Sequence, residues 1–257
     1  MKALVVVAAL AGVAHAEDRV YVRAGVLHMA PLSTSRELEL SDVHGPASLA
    51  VMNGPIHGSG TTVDPVTTAA MIVGFRFADR FAVETILATP IHVRFRATGS
   101  LAMESIAPLA LGIPTGVPAL GDQLGEADAL PPVVTVVYRL LPGATVPYVG
   151  AGASVLYAYH AHATNPILVE AGEPELHIDP SAGLVVQAGL DARIWGRIHA
   201  RADIKYIAFM TAHATVEHIR VRTPNLPLFD PVAVGTATME VTINPLIVQL
   251  GIGVDFW

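Results

Sequence analysis

From Ile198 to Tyr206 the chain alternates between two kinds of side chain: Ile198, Ala200, Ala202, Ile204 and Tyr206 on one parity, His199, Arg201, Asp203 and Lys205 on the other. A period of two puts successive side chains on opposite faces of a strand, so this segment has one apolar and one ionic face. The end of the chain repeats the pattern. Leu246, Val248, Leu250, Ile252, Val254 and Phe256 form an unbroken apolar face, while Gln249, Gly251, Gly253 and Asp255 fill most of the other. In a soluble sandwich the apolar face is the core side, whereas in an outer-membrane barrel it meets lipid and the other face lines the interior. Alternation alone admits both, and a final strand that runs to a near-terminal aromatic favours the barrel.

Eight such segments are predicted, over residues 19–29, 67–77, 81–97, 130–140, 147–160, 182–194, 197–215 and 239–256. The connections around Ala78-Asp79-Arg80, Pro142-Gly143 and Trp195-Gly196 are short, and those at 30–66, 98–129, 161–181 and 216–238 are long. Short turns on one rim and long loops on the other are the asymmetry of an even-stranded barrel. The expected fold is therefore all-β, an eight-stranded antiparallel transmembrane β-barrel with short periplasmic turns and long extracellular loops. No internal repeat or interdomain linker divides it, so residues 17–257 read as a single domain.

The first residues, MKALVVVAALAGVAHA, carry Lys2, an apolar stretch and an Ala14-His15-Ala16 cleavage pattern, so 1–16 read as a secretory signal peptide. Composition narrows the classes further. Hydrophobic residues make up 52% of the 257 and charged residues 14%, which excludes a disordered chain. The longest later stretch without Asp, Glu, Lys or Arg, 140–169, is broken by Pro142, Pro147 and Pro166 and predicts no spanning helix. With no cysteine, neither disulfides nor thiol chemistry enters. A formal charge of −7 gives no basic footprint for nucleic acid.

Several short motifs follow one another in an order that resembles the outer membrane protein W family, including the related alkane-uptake outer-membrane proteins. Ala82-Val83-Glu84 through Leu87-Ala88-Thr89-Pro90 resembles the family's third strand, followed by Ala97-Thr98-Gly99. Leu130-Pro131-Pro132 and then Pro147-Tyr148-Val149-Gly150-Ala151-Gly152 form the most specific match. Ala188-Gly189-Leu190-Asp191, Asp203-Ile204-Lys205-Tyr206-Ile207 and Asn244-Pro245-Leu246-Ile247 complete the series. Three features depart from the family: Trp257 follows the aromatic that usually ends the chain, Asn244 stands where Asp often precedes Pro, and the first and last long loops are longer than expected. The resemblance implies passive uptake of small hydrophobic molecules in the cell outer membrane, with lateral release into the bilayer. Implied partners are outer-membrane lipid and lipopolysaccharide, the solutes themselves and the barrel-assembly machinery.

Extending the alternation along each strand points Arg23, Arg76, Glu84, Arg139, Asp191, Arg193, Arg201, Asp203, Lys205 and Asp255 inward. Eight strands enclose a space just wide enough for side chains, so these charges predict a polar plug. Higher up, Ile86, Ala88, Val149, Ala151, Ala153, Val155, Ile207 and Phe209 are expected to line an apolar pocket open to the outside. Proline lacks the N–H a ladder needs, which makes Pro90, Pro131 and Pro245 candidates for a lateral exit. The long loops carry unusually many apolar residues, among them Leu101, Met103, Leu111, Ile113, Val117 and Phe229, as a funnel or as loop-on-loop packing. Neither G-x-S-x-G nor H-E-x-x-H occurs, and no enzyme activity or cofactor is expected. His160-Ala161-His162 is the nearest metal-like pattern but offers no obvious further ligand. The alternative function is a structural or adhesive outer-membrane barrel whose long loops bind partners.

Overall fold

The structure, a computed structural model, describes residues 19–256. The expected leader at 1–16 and Trp257 lie outside the described residues. Eight strands form the wall: β1 (Val20–Ala30), β2 (Val66–Arg76), β3 (Phe81–Ala88), β4 (Val133–Arg139), β5 (Thr145–Ala163), β6 (Ser181–Trp195), β7 (Ile198–Ala208) and β8 (Leu246–Phe256). Each pairs antiparallel with its predecessor. The ring closes between β8 and β1, from Val20 opposite Phe256 to Ala30 opposite Leu246. Closure satisfies the backbone groups that lipid cannot. Val83, Val136, Leu190, Ile204 and Leu250 are exposed on the outside, as an apolar belt requires. Phe77, Phe81 and Tyr138 cluster beside the β2–β3 turn, with ring centroids 6.0 and 5.0 Å apart, the position of an interfacial girdle.

Three predicted strands are each broken in two. Residues 81–97 divide at Thr89-Pro90, 197–215 at Phe209 (φ 64°) and 239–256 before Asn244 (φ 37°) and Pro245. Each break falls where the chain leaves the barrel and enters a folded extracellular layer, so the expected long loops are in large part sheet. On one side, Ile91–Gly99 and Gln123–Leu130 continue β3 and β4 and pair with each other, with Ser59–Val63 and with the top of β5. On the other, Thr211–Val221 and Val232–Thr242 form a hairpin flanked by Glu175–Ile178 and Glu39–Ser41. Leu38, Leu101, Leu124, Val216, Ala237 and Met239 are buried between these sheets. This second core explains why the connections are so apolar: Leu101 and Val117 pack inside it, while Met103, Leu111 and Ile113 remain exposed near the top.

Candidate functional site

The barrel's lower interior is ionic and arranged in two tiers. In the upper tier Arg201 donates from Nη1 and Nη2 to the two oxygens of Glu84, both at 2.8 Å, with side chains only 3% and 2% exposed. Such a fork is the strong form of an ion pair. Arg201 Nη2 also reaches Asp203 Oδ2 at 3.3 Å, and Lys205 pairs with the other Asp203 oxygen. The Tyr21 hydroxyl donates to Glu84, that of Tyr148 to Asp203, and Gln187 Nε2 donates to Glu84 at 3.1 Å. Two carboxylates thus balance two cations. In the lower tier Arg23 bridges Asp191 (3.0 Å) and Asp255 (2.6 Å), Arg76 holds the far oxygen of Asp255 at 2.9 Å, and His199 pairs with Asp191.

The tyrosine rings fit because glycine faces them. A Cβ on Gly74 would fall 2.1 Å from the Tyr21 ring, and one on Gly189 would fall 2.1 Å from the Tyr148 hydroxyl. The guanidinium of Arg201 lies 4.2 Å from the centre of the Tyr148 ring, a cation over an aromatic face.

Of the ten expected plug residues, nine surround this network, Arg139 being half-buried within electrostatic reach of Arg76, Asp191 and Asp255. Arg193 does not belong: it is exposed at the lower rim, beside the register shift between Arg193 and Trp195 that ends the alternation. Tyr21, Tyr148, Gln187 and His199 are network members that a search for charge alone overlooks. Tyr148 also sets the phase of β5.

The expected pocket needs a larger correction. Ile86, Ala88 and Ile207 face inward, but Val149, Ala151, Ala153 and Val155 point out towards lipid, and Phe209 is 75% exposed above the wall. The inward parity of β5 is instead Val146, Tyr148, Gly150, Gly152, Ser154 and Leu156. The reason is steric and polar together. Tyr148 turns inward to reach Asp203, and the glycines that follow leave room for neighbours; a Cβ on Gly150 would meet the Gln187 side chain at 2.8 Å.

Above Lys205 the interior becomes apolar, with Ile72, Val133, Val185 and Ile207 almost fully buried. Three apolar cavities follow one another upward from there. The lowest, about 40 Å³, is lined by Ile207, Ile247, Leu156, Ile91, Pro131 and Pro245. The middle one, about 50 Å³, lies between the extracellular sheets and shares Phe95 with the lowest. The uppermost, about 110 Å³, shares Val234 with the middle one and is bordered by Leu49, Leu111, Ile113, Leu226 and Phe229.

The wall beside the lowest cavity is interrupted. Between Asp64, whose N–H donates to the Arg94 carbonyl, and the pair Ala70–Ala88, the five residues on each side form no ladder with one another, and Pro65 and Pro90 lie among them. On the other flank the β3–β4 ladder ends at Ile86–Val133 and resumes at Ile91–Ala129, skipping Pro90, Pro131 and Pro132. Across the first interruption the Thr68 and Thr89 hydroxyls meet at 2.8 Å. Pro245 differs: the Ile207 N–H donates to its carbonyl at 3.1 Å, so the wall stays bonded there.

A closed eight-stranded wall with an apolar exterior, an ionic base and a folded extracellular layer defines an outer-membrane β-barrel protein. The chain belongs to the OmpW family, whose profile matches residues 19–256, and the protein resides in the outer membrane. Outer membrane protein W of Vibrio cholerae serotype O1 (strain ATCC 39315 / El Tor Inaba N16961) is 28% identical over 193 residues, 73% of this chain and 74% of that protein. The fold is similar to the crystal structure of the outer membrane protein OprG from Pseudomonas aeruginosa, with a TM-score of 0.71, 19% identity and coverage of 94% of this chain and 97% of that one. It is also similar to the solid-state NMR structure of outer membrane protein AlkL in lipid bilayers, with a TM-score of 0.52, 16% identity and coverage of 95% and 93%.

Proposed function

We propose that this barrel takes up small hydrophobic molecules passively, through the apolar column above the ionic base, and releases them sideways into the bilayer near Pro90 and Pro131. The observation that carries this reading is the coincidence of two features: the lowest apolar cavity is lined by Ile91 and Pro131, and the wall ladders on both sides of Pro90 are interrupted at that level. Below that level the solute meets Lys205, Arg201, Asp203 and Glu84, all paired and buried. An apolar molecule gains nothing from entering that layer, and parting its charges leaves unpaired ions in a buried site. The hydrocarbon outside the seam is the favourable destination.

As they stand, the cavities are smaller than the roughly 150 Å³ that holds one benzene, so passage requires Val234 and Phe95, which separate them, to swing aside. The exposed Leu111, Ile113 and Phe229 at the upper cavity form the entry rim. Uptake of radiolabelled alkanes by cells with and without the protein tests the proposal. Faster uptake with the protein, lost when Ala129→Trp fills the lowest cavity, is the expected result. Equal uptake with and without the protein would leave the barrel a structural or partner-binding role.

A further inference from the structure

We propose that His162, Glu126, His92, Asp128 and His160 form a proton-operated clasp, which ties the extensions of β3 and β4 to the top of β5 in mildly acid medium and releases them as the pH rises. The five side chains lie at the surface of the extracellular layer, His92 on Ile91–Gly99, the two carboxylates on Gln123–Leu130 and the other two imidazoles on β5. Ring and carboxylate alternate. His162 Nε2 lies 3.0 Å from Glu126 Oε1, His92 Nε2 2.9 Å from Glu126 Oε2, His92 Nδ1 3.3 Å from Asp128 Oδ1, and His160 Nδ1 3.4 Å from Asp128 Oδ2. Each carboxylate oxygen thus meets a different ring nitrogen. A bulge aims the third ring: between the Glu126–His162 and Asp128–Tyr159 pairs β5 carries one residue more than its partner, and His160 stands there with φ 49°.

Protonated rings are what close this chain of contacts. A neutral imidazole has one N–H and one lone pair, yet both nitrogens of His92 face carboxylates, and His162 Nδ1 lies 3.0 Å from the His160 carbonyl oxygen while its Nε2 faces Glu126. Only the imidazolium form donates on both sides. Loss of a proton turns a lone pair towards an acceptor, and the contact parts. The bonds to Glu126 and then Asp128 hold His92 above the ordinary imidazole value of 6.5, and the His92 bond is the first cause holding each carboxylate below its own ordinary range. A raised pKa contributes stability that is complete below the unfolded value and lost as pH rises through the folded one, so the clasp opens above pH 6.5. Among the neighbouring groups, Arg94 stands opposite Glu126, Tyr159 stands opposite Asp128, Arg96 is held by Asp64 and Asp122, and Ser59–Val63 carries no charge. Glu175 and His177, on the strand beside the top of β5, pair with His218 and Asp179. Arg94 and Arg96 against Asp64, Asp122, Glu126 and Asp128 leave two negative charges, which the imidazoliums of His92 and His162 cancel.

The clasp sits on the rim of the seam. His92–Asp128 is the rung next above Ile91–Ala129, where the ladder between the two extensions begins, so its release loosens the upper edge of the interrupted wall; an effect on uptake rests on the lateral exit proposed above. Amide hydrogen exchange, followed by NMR on the full-length protein in detergent micelles, reads the clasp itself. After correction for intrinsic exchange, protection of the Val93 and Ala127 amides should fall about three- to fivefold from about pH 6 to about pH 8.5, as expected for the loss of exposed ion pairs. Salt at about 0.5 M should produce part of the same loss at the lower pH. His92→Gln should show the low protection at both pH values, whereas His177→Gln, altered outside the clasp, should respond as the unaltered protein does. Both positions are exposed, and migration of the unheated protein on gels verifies that each variant retains its barrel. Equal protection at the two pH values in the unaltered protein, or a pH response that survives in His92→Gln, overturns the proposal. Alkane uptake by cells should be faster at the higher pH with the unaltered protein and indifferent to pH with His92→Gln. Uptake that ignores pH while protection changes would count against exit at this rim and leave the clasp standing.

Discussion

Replacing Glu84 with alanine should destabilise the barrel far more than the loss of one side chain suggests. The carboxylate accepts two bonds from Arg201 and one each from Tyr21 and Gln187. Without it, Asp203 is the one carboxylate paired with both Arg201 and Lys205, Asp191 of the lower tier lying 4.0 Å from Arg201, and a balanced tier acquires a net positive charge in a buried site. Two unit charges about 4 Å apart at an effective dielectric of 20 interact by about 4 kcal/mol, which agrees with the ~3–5 kcal/mol typical when one partner of a buried pair is removed. The orphaned Tyr21 and Gln187 donors add about 1–3 kcal/mol each. Urea unfolding in lipid vesicles measures the change. The double variant Glu84→Ala with Arg201→Met removes both charges, leaves Asp203 and Lys205 to balance each other, and should be more stable than Glu84→Ala alone. A cost below about 1 kcal/mol for the single variant, or strictly additive costs in the double one, would refute the charge-balanced plug.

Three further outcomes follow from the same geometry. Leu156→Trp, which overfills the lowest cavity at a cost of about 1–3 kcal/mol, should reduce alkane uptake, whereas Ala151→Trp, facing lipid, should leave it unchanged; uptake assays on the two variants check the corrected phase of β5. Planar-bilayer recordings should find little or no steady ionic conductance, because the two tiers of paired charges close the base. Asp230 in the extracellular layer is held below the usual carboxylate range, first by the Thr223 N–H at 2.8 Å and then by Arg222. Its contribution to loop order is therefore present at neutral pH and lost as pH falls through that depressed pKa, which NMR protection of the Thr223 amide should follow.

The barrel was legible because lipid enforces alternation: each wall strand must turn an apolar face outward, and the ionic parities of β7 and β8 identify the inside directly. On β5 both parities are apolar or small, from Val149 to Val155, so the phase rests on Tyr148, an aromatic that fits either face by size. Its inward turn depends on a hydroxyl partner, Asp203, 55 residues away, and on Gly189 opposite, which local reading does not connect. The extracellular sheets were hidden for a different reason. Their strands run on from barrel strands without a change of period, and Pro90, Pro131-Pro132, Phe209 and Asn244 mark the joints.

Lateral release is tested most directly by locking the seam. The chain has no cysteine, so Thr68→Cys with Thr89→Cys places a single pair where two hydroxyls meet across the interrupted β2–β3 ladder. Alkane uptake should fall when this pair is oxidised to a disulfide and recover when it is reduced. Uptake that proceeds equally fast with the seam locked would contradict exit through this part of the wall.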